Sequence, residues 1–193
     1  MRREILDAAW SQARDVGLAN ITLRDIAREV GMQPPSLYSH FASKNAIYDA
    51  MYAEAWLAYE ESGSALEPLP EHPREALQKI ARVFFDFAVA DLARYQLMNQ
   101  RTIPGFEPSP DSYAPAVRVL EHGRAMVGSC GVSDSADFDI MAALIGGLID
   151  QQLANDPGGD RYSRLLERAI DMWADAAGVP KQSPAARRAA RKR

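Results

Sequence analysis

Residues 22–41 (TLRDIAREVGMQPPSLYSHF) restrict the fold of this chain more than any other stretch, because they hold two short helices and the corner between them. Thr22 can N-cap a helix whose third residue is Asp25, a capping-box-like pair, and Leu23, Ile26, Ala27 and Val30 then recur at helical spacing to make one apolar face. Gly31 stands where a left-handed residue stops such a helix. Met32 plugs the corner, and Pro34-Pro35 suit the first turn of a second helix, where no backbone N–H is needed. That second helix is expected over 34–41, with Leu37 and Phe41 inward and Gln33, Ser36, Tyr38, Ser39 and His40 outward. Two short helices joined at a Gly-containing corner form the helix-turn-helix unit, whose second helix enters a DNA major groove. Helical hairpins with the same corner also occur in proteins that bind nothing, so spacing alone leaves both readings open.

The flanking residues add to this. With ILDAAWSQARDVGLANIT before it and SKNAIYDAMY after it, the stretch resembles the N-terminal domain of TetR-family transcriptional regulators. The matching residues are Ile5, Ala8 and Ala9 on a first helix, Gly17 at its end, Thr22, Ile26-Ala27, Gly31, Leu37-Tyr38, His40-Phe41, and Ser43-Lys44 opening a further helix. They cover about the first quarter of the chain. Two positions depart from the pattern: a bulky apolar residue is usual where Ala13 stands, with Trp10 placed to fill that volume, and Gln33 takes a position where Ser is commoner.

The resemblance implies an all-α protein, with an N-terminal three-helix helix-turn-helix domain joined by a long helix to a larger C-terminal helical domain for ligand binding and dimerisation. Carried over position by position, it sets Gln33, Pro34, Pro35, Ser36, Tyr38 and Ser39 against bases or their sugar edges, with Arg24 adding a base contact. Thr22, Tyr38, His40 and Lys44 would hold phosphates. The implied function is a homodimeric regulator, read as a repressor, that binds a palindromic double-stranded DNA operator and is released by a small-molecule effector.

Composition is compatible with that outline. At 193 residues, 47% hydrophobic and 8% aromatic, the chain can bury a substantial core. No run of 18 apolar residues exists, and Met1-Arg2-Arg3 leads into an amphipathic helix instead of an apolar signal segment, so the expectation is a cytoplasmic protein without a membrane partner. The net charge of −4 divides unevenly: residues 1–50 are neutral, 51–180 carry −10, and 181–193 carry +6. An acidic body turns a neutral reading head toward DNA and leaves much of the affinity to chosen sites. Cys130 is the single cysteine, read as a small core residue or, alternatively, as a reactive thiol.

In chain order, a first helix is expected over 3–16 and a linking helix from Ser43 to Tyr59, giving a DNA-binding domain over 1–60. Pro68, Pro70 and Pro73 stiffen a boundary, after which a regulatory domain spans 66–178. Within it, helices are read over 74–92, 116–128, 138–153 and 162–177, with a proline-rich loop over 102–115 and a flexible turn over 155–160. Residues 179–193 are read as a basic, flexible tail that either touches phosphates or is simply solvated. Residues 138–153 are apolar nearly all round and demand burial on more than one side. As the family dimerises through its last two long helices, Leu144, Leu148, Leu166, Ile170 and Trp173 are the expected partner contacts, with burial inside a monomer as the alternative. Phe84, Phe87, Tyr95, Met98, Phe106, Tyr113, Met126 and Met141 are read as a ligand pocket, either this or ordinary core, with Asn99, Gln100 or Arg101 as orienting groups for a largely apolar ligand.

Catalysis finds no support in the pattern. His40, His72 and His122 lack metal-ligand spacing, no GxSxG, P-loop or GxGxxG occurs, and no cofactor or catalytic residue is expected. A helical protein-interaction adaptor would share the fold without DNA. It leaves Gln33, Ser36, Tyr38 and Lys44 as an exposed polar set with no core purpose.

Overall fold

Apolar residues at helical spacing become helices throughout. The computed structural model describes residues 1–181 and has no strand among them; residues 182–193, most of the expected basic tail, lie outside the described residues. The chain forms two compact units. The first comprises Met1–Glu60 and Asp91–Arg118; the second comprises Glu61–Ala90 and the described residues from Val119 onward. The expected division at residues 60–66 therefore needs correction, since 91–118 belong with the N-terminal residues.

In the first unit, α1 (Arg2–Val16) buries Ile5, Ala8, Ala9, Trp10 and Ala13 and ends at Gly17, whose φ of +83° is a conformation that glycine adopts without a Cβ penalty. Trp10 is buried, and its indole N–H donates to Glu54 across 3.1 Å. The next helices are α2 (Leu23–Glu29) and α3 (Lys44–Ser62). Ser43 Oγ accepts from the Ala46 N–H at the start of α3. Within α3, Ile47, Tyr48, Met51, Tyr52, Ala55 and Trp56 are buried, and the Tyr48 hydroxyl donates to the Leu18 carbonyl at 2.6 Å.

Two long-range ties bring 91–118 to these helices. Asp91 caps α5 (Leu92–Asn99) and also pairs with Arg14 of α1 at 2.8 Å. The Asp49 carboxylate on α3 accepts from the Ser109 N–H (2.7 Å), the Ser109 hydroxyl (2.8 Å) and the Ser112 hydroxyl (2.8 Å), which pins the start of α6 (Pro110–Ser129). The helix begins earlier than the prolines led us to expect, and Pro115 lies inside it. Proline removes one helical hydrogen bond there. Burial of Ser112, Pro115 and Ala116, together with the Asp49 anchor, offsets that loss.

The second unit is built on α4 (Pro73–Val89), α7 (Ser135–Asn155) and α8 (Leu166–Ala176), which pack on one another. Leu77, Ile80, Ala81, Phe85, Met141, Ile145, Ile149, Leu166, Ile170 and Trp173 are their buried side chains. Arg74 is a buried cation that the sequence reading passed over. Its guanidinium donates to the carbonyls of Val179 (2.6 Å), Pro180 (3.3 Å) and Asp171 (3.2 Å) and to the Asp175 carboxylate (2.5 Å). Residues 179–181 are thereby fastened to this unit and are not part of a loose tail. Gln152, also buried, staples the connection after α7: its carbonyl accepts from the N–H groups of Tyr162 and Ser163, and its amide donates to the carbonyls of Asp156 and Gly159. The turn expected to be flexible is held by those bonds.

Leu166, Ile170 and Trp173 are buried within the chain's own core, which corrects their expected role as partner contacts. Their stripe faces inward because α4 and α7 cover it. On and beside α7 and α8, the large apolar residues left exposed are Ile140 (55% exposed) on α7, Leu165 just before α8, and Met172 (64% exposed) on α8. Leu144 and Leu148 are half-buried, and the small residues Ala143 and Gly147 beside them are exposed.

Candidate functional site

The short segment after α2 is positioned by its buried face. Gly31 takes φ +67°, which a side chain would strain, and Met32 N–H returns to the Ala27 carbonyl at 2.8 Å. Pro34–Ser39 then form a 3-10 turn, not the α-helix expected over 34–41. Its bonds run from Ser36 N–H to Gln33 O and from His40 N–H to Leu37 O, both 2.9 Å. Pro34 and Pro35 carry no backbone N–H, so neither donates into the turn and its first bond comes from Ser36. Leu37 is 1% exposed and Phe41 3% exposed, so both anchor the turn on its inner side. Gln33, Pro35, Ser36, Tyr38 and Ser39 are exposed, and Pro34 and His40 are half-buried.

At the rim, Thr22 caps α2 as expected: its Oγ1 accepts from Asp25 N–H at 3.1 Å and donates to Asp25 Oδ2 at 2.6 Å. The hydroxyl proton expected for a phosphate is thus engaged, and the Thr22 bond with the nearby Arg28 charge holds the Asp25 carboxyl below its ordinary range. Arg24 is exposed. Lys44 is the half-buried first residue of α3, with Nζ 5.4 Å from the Tyr48 ring centroid. Its ammonium has no carboxylate partner among the described residues. Arg2 was missed by the sequence reading. It donates to the His40 carbonyl at 2.7 Å and lies 4.1 Å over the Phe41 ring, so α1 braces the far end of this turn and adds a cation beside it. Nothing local in the sequence marks that contact, which spans 38 residues.

The expected pocket residues separate. Met98, Phe106 and Tyr113 line a cavity of about 450 Å³ in the first unit, together with Tyr52, Leu97 and Ile103 and the polar residues Asn99, Gln100, Arg101 and Glu107. Tyr95 is buried close in sequence but does not line it. Phe84, Phe87, Met126 and Met141 belong to the second unit and are not among its lining. Aromatic and methionine content could not tell these two sets apart, because both fill cores equally well. Among the described residues no group of His, Cys, Asp and Glu side chains could hold a metal, and no helix is long and apolar enough to cross a membrane.

Residues 5–51 match the family model of the bacterial regulatory proteins, tetR family. The class A tetracycline repressor from transposon 1721 of Escherichia coli is 30% identical over 182 residues, covering 89% of this chain and 80% of that protein. A helix-turn-helix transcriptional regulator of Mycobacterium bovis is 26% identical over 91% of this chain and 77% of its own length. Among solved structures, a TetR-family transcriptional regulator from Thermus thermophilus shares the fold with TM-score 0.63 and 21% identity, covering 88% of this chain and 96% of that one. A Rhodococcus protein of unknown function gives 0.76 at 20% identity, over 91% and 94%. The fold, the buttressed polar turn and these relatives define a DNA-binding transcriptional regulator. The chain belongs to the TetR family.

Proposed function

We propose that this protein is a repressor that acts in the cytoplasm as a homodimer, binds a near-palindromic operator through residues 33–39, and leaves it when a small, largely apolar molecule binds. One observation carries the reading: an uncharged polar surface of Gln33, Ser36, Tyr38 and Ser39 stands exposed on a turn whose opposite face is fixed by Leu37 and Phe41. Hydrogen-bonding groups on a rigid base read base edges, and hydroxyls and cations beside them hold phosphates without choosing sequence. Gln33, Pro34, Pro35, Ser36, Tyr38 and Ser39, with Arg24, take the first role. Tyr38, His40 and Lys44 take the second, and Arg2 joins them, whereas the Thr22 hydroxyl gives its proton to Asp25 and serves the cap of α2.

The homodimer is supported by the apolar surface on α7 and α8. Ile140, Leu144 and Leu148 recur on one side of α7, and Met172 and Leu165 recur at helical spacing, outside the chain's own core. Exposed apolar side chains clustered on neighbouring helices mark association surfaces. Ligand control is supported by the cavity in the first unit. A coupling of ~1–3 kcal/mol between ligand and DNA would loosen the operator about 5–150-fold.

Selection of binding sites from random DNA, followed by gel shift of the selected sequence, tests the proposal. Two inverted half-sites with centres about one helical turn apart, or a multiple of it, are expected. A sedimentation experiment showing a monomer that binds the selected DNA at nanomolar concentration would overturn the homodimer, and failure to enrich any sequence would overturn specific reading.

A further inference from the structure

The cavity of the first unit has one wall unlike an ordinary core. The rings of Tyr52 and Tyr113 both line it and lie nearly parallel, with 15° between their planes and centroids 6.3 Å apart. Tyr52 is 6% exposed and fixed within α3, whereas Tyr113 on the first turn of α6 is 44% exposed. Two aligned aromatic faces reward a third flat ring with stacking beyond the area it buries, which a saturated ring of equal size does not receive.

The remaining lining is not uniformly apolar. Asn99 donates its amide N–H to the Tyr95 carbonyl at 3.2 Å, which leaves its Oδ1 as an acceptor. Arg101 and Glu107 stand 4.0 Å apart at the outer limit of an ion pair, with side chains 92% and 79% exposed. A pair so open and so weakly held gives way to a ligand's polar edge at little cost. At about 450 Å³ the cavity lies within the range of small-molecule sites.

From this geometry we propose that the cavity binds a neutral planar aromatic or heteroaromatic molecule of a few fused rings, stacked on the Tyr52–Tyr113 pair with a hydrogen-bond donor toward Asn99. As a binding site it stands on the cavity itself; as an effector site it also rests on the ligand-controlled reading above. Aromatic character, more than apolar character, then decides which compounds bind.

The test uses 1-naphthol and its saturated counterpart, decahydro-1-naphthol, which share a carbon skeleton and a hydroxyl and differ in flatness. Calorimetric titration of the full chain should show 1-naphthol binding about tenfold tighter than the saturated alcohol, and Tyr113→Ala should remove about tenfold of its affinity while Tyr113→Phe retains it. Tyr113 is exposed enough that its truncation leaves the fold intact, which a thermal melt confirms. Equal binding of the two alcohols, or binding indifferent to Tyr113→Ala, overturns the site. The same compounds are then added to the protein on its selected DNA. Release by 1-naphthol that Tyr113→Ala abolishes supports effector control at this cavity. Tyr113-dependent binding with no release keeps the binding site and overturns its effector role, whereas release by other compounds, equal in wild type and Tyr113→Ala, keeps ligand control and places it elsewhere.

Discussion

Replacing Lys44 by Ala separates charge from sequence reading at the proposed interface. Lys44, half-buried as the first residue of α3, holds its ammonium 5.4 Å from the Tyr48 ring centroid with no carboxylate partner among the described residues. Losing that contact costs the fold only about 0.5–1 kcal/mol, as for cations over aromatic rings near a surface. Its effect on DNA should be larger and depend on salt. Each phosphate neutralised on duplex DNA contributes about 0.9 to the slope of log affinity against log salt, so two copies in a dimer contribute about 1.8. Between about 50 and about 200 mM salt, a roughly fourfold rise, the wild type should lose about 12-fold more affinity than the variant. Fluorescence anisotropy on the selected operator and on a scrambled duplex, at several salt concentrations, measures both slopes. The variant should weaken the two duplexes alike. A slope unchanged by the substitution, or a change in base preference at constant slope, refutes the assignment of Lys44 to a phosphate.

Three further outcomes are expected. Met172→Asp, at a side chain 64% exposed, should leave a folded monomer in sedimentation with weakened operator binding, whereas Ile170→Asp, at 0% exposure, should unfold the second unit outright because a carboxylate is buried without a partner. Arg74→Met should cost about 2–4 kcal/mol in chemical denaturation, as the carbonyls of Val179, Pro180 and Asp171 lose a charged donor. Arg74 and Lys181 lower the folded-state Asp175 carboxyl pKa, so its contribution is present above the ordinary carboxylate range and is lost as pH falls through the depressed value; the variant should show a smaller acid-side decline. Burial raises the Cys130 thiol, so alkylation at neutral pH should be slow in the native protein and fast after denaturant; equal rates would favour the reactive-thiol reading.

What the sequence made legible follows from contact range. The Thr22 cap, the Gly31 corner and the inward Leu37 are set by neighbours a few residues away, so residue type and spacing sufficed to find them. Arg2 against His40, Arg14 against Asp91 and Asp49 against Ser109 and Ser112 join residues far apart in the chain, and no local pattern announces them. The same limit displaced the boundary between units, since 91–118 return to the N-terminal helices through those contacts. On α8 the periodicity identified the apolar stripe of Leu166, Ile170 and Trp173 correctly, but periodicity cannot say whether a stripe is covered by its own chain or by another.

The division of labour within residues 33–41, the proposed reading turn, bears on how such a protein changes over generations. Leu37 and Phe41 hold the turn, while Gln33, Ser36 and Ser39 spend little on the fold; for Ser39 the bond recorded is a local one to the Ser36 carbonyl. Substitutions at surface positions of this kind typically move stability by less than about 0.5 kcal/mol. Drift at these three positions is therefore nearly free for the fold while, under the proposed reading, it alters the hydrogen-bond pattern offered to DNA. A duplicated copy of the gene could move to a new operator in single steps, each folded and each open to selection, without first acquiring a compensating change in the core.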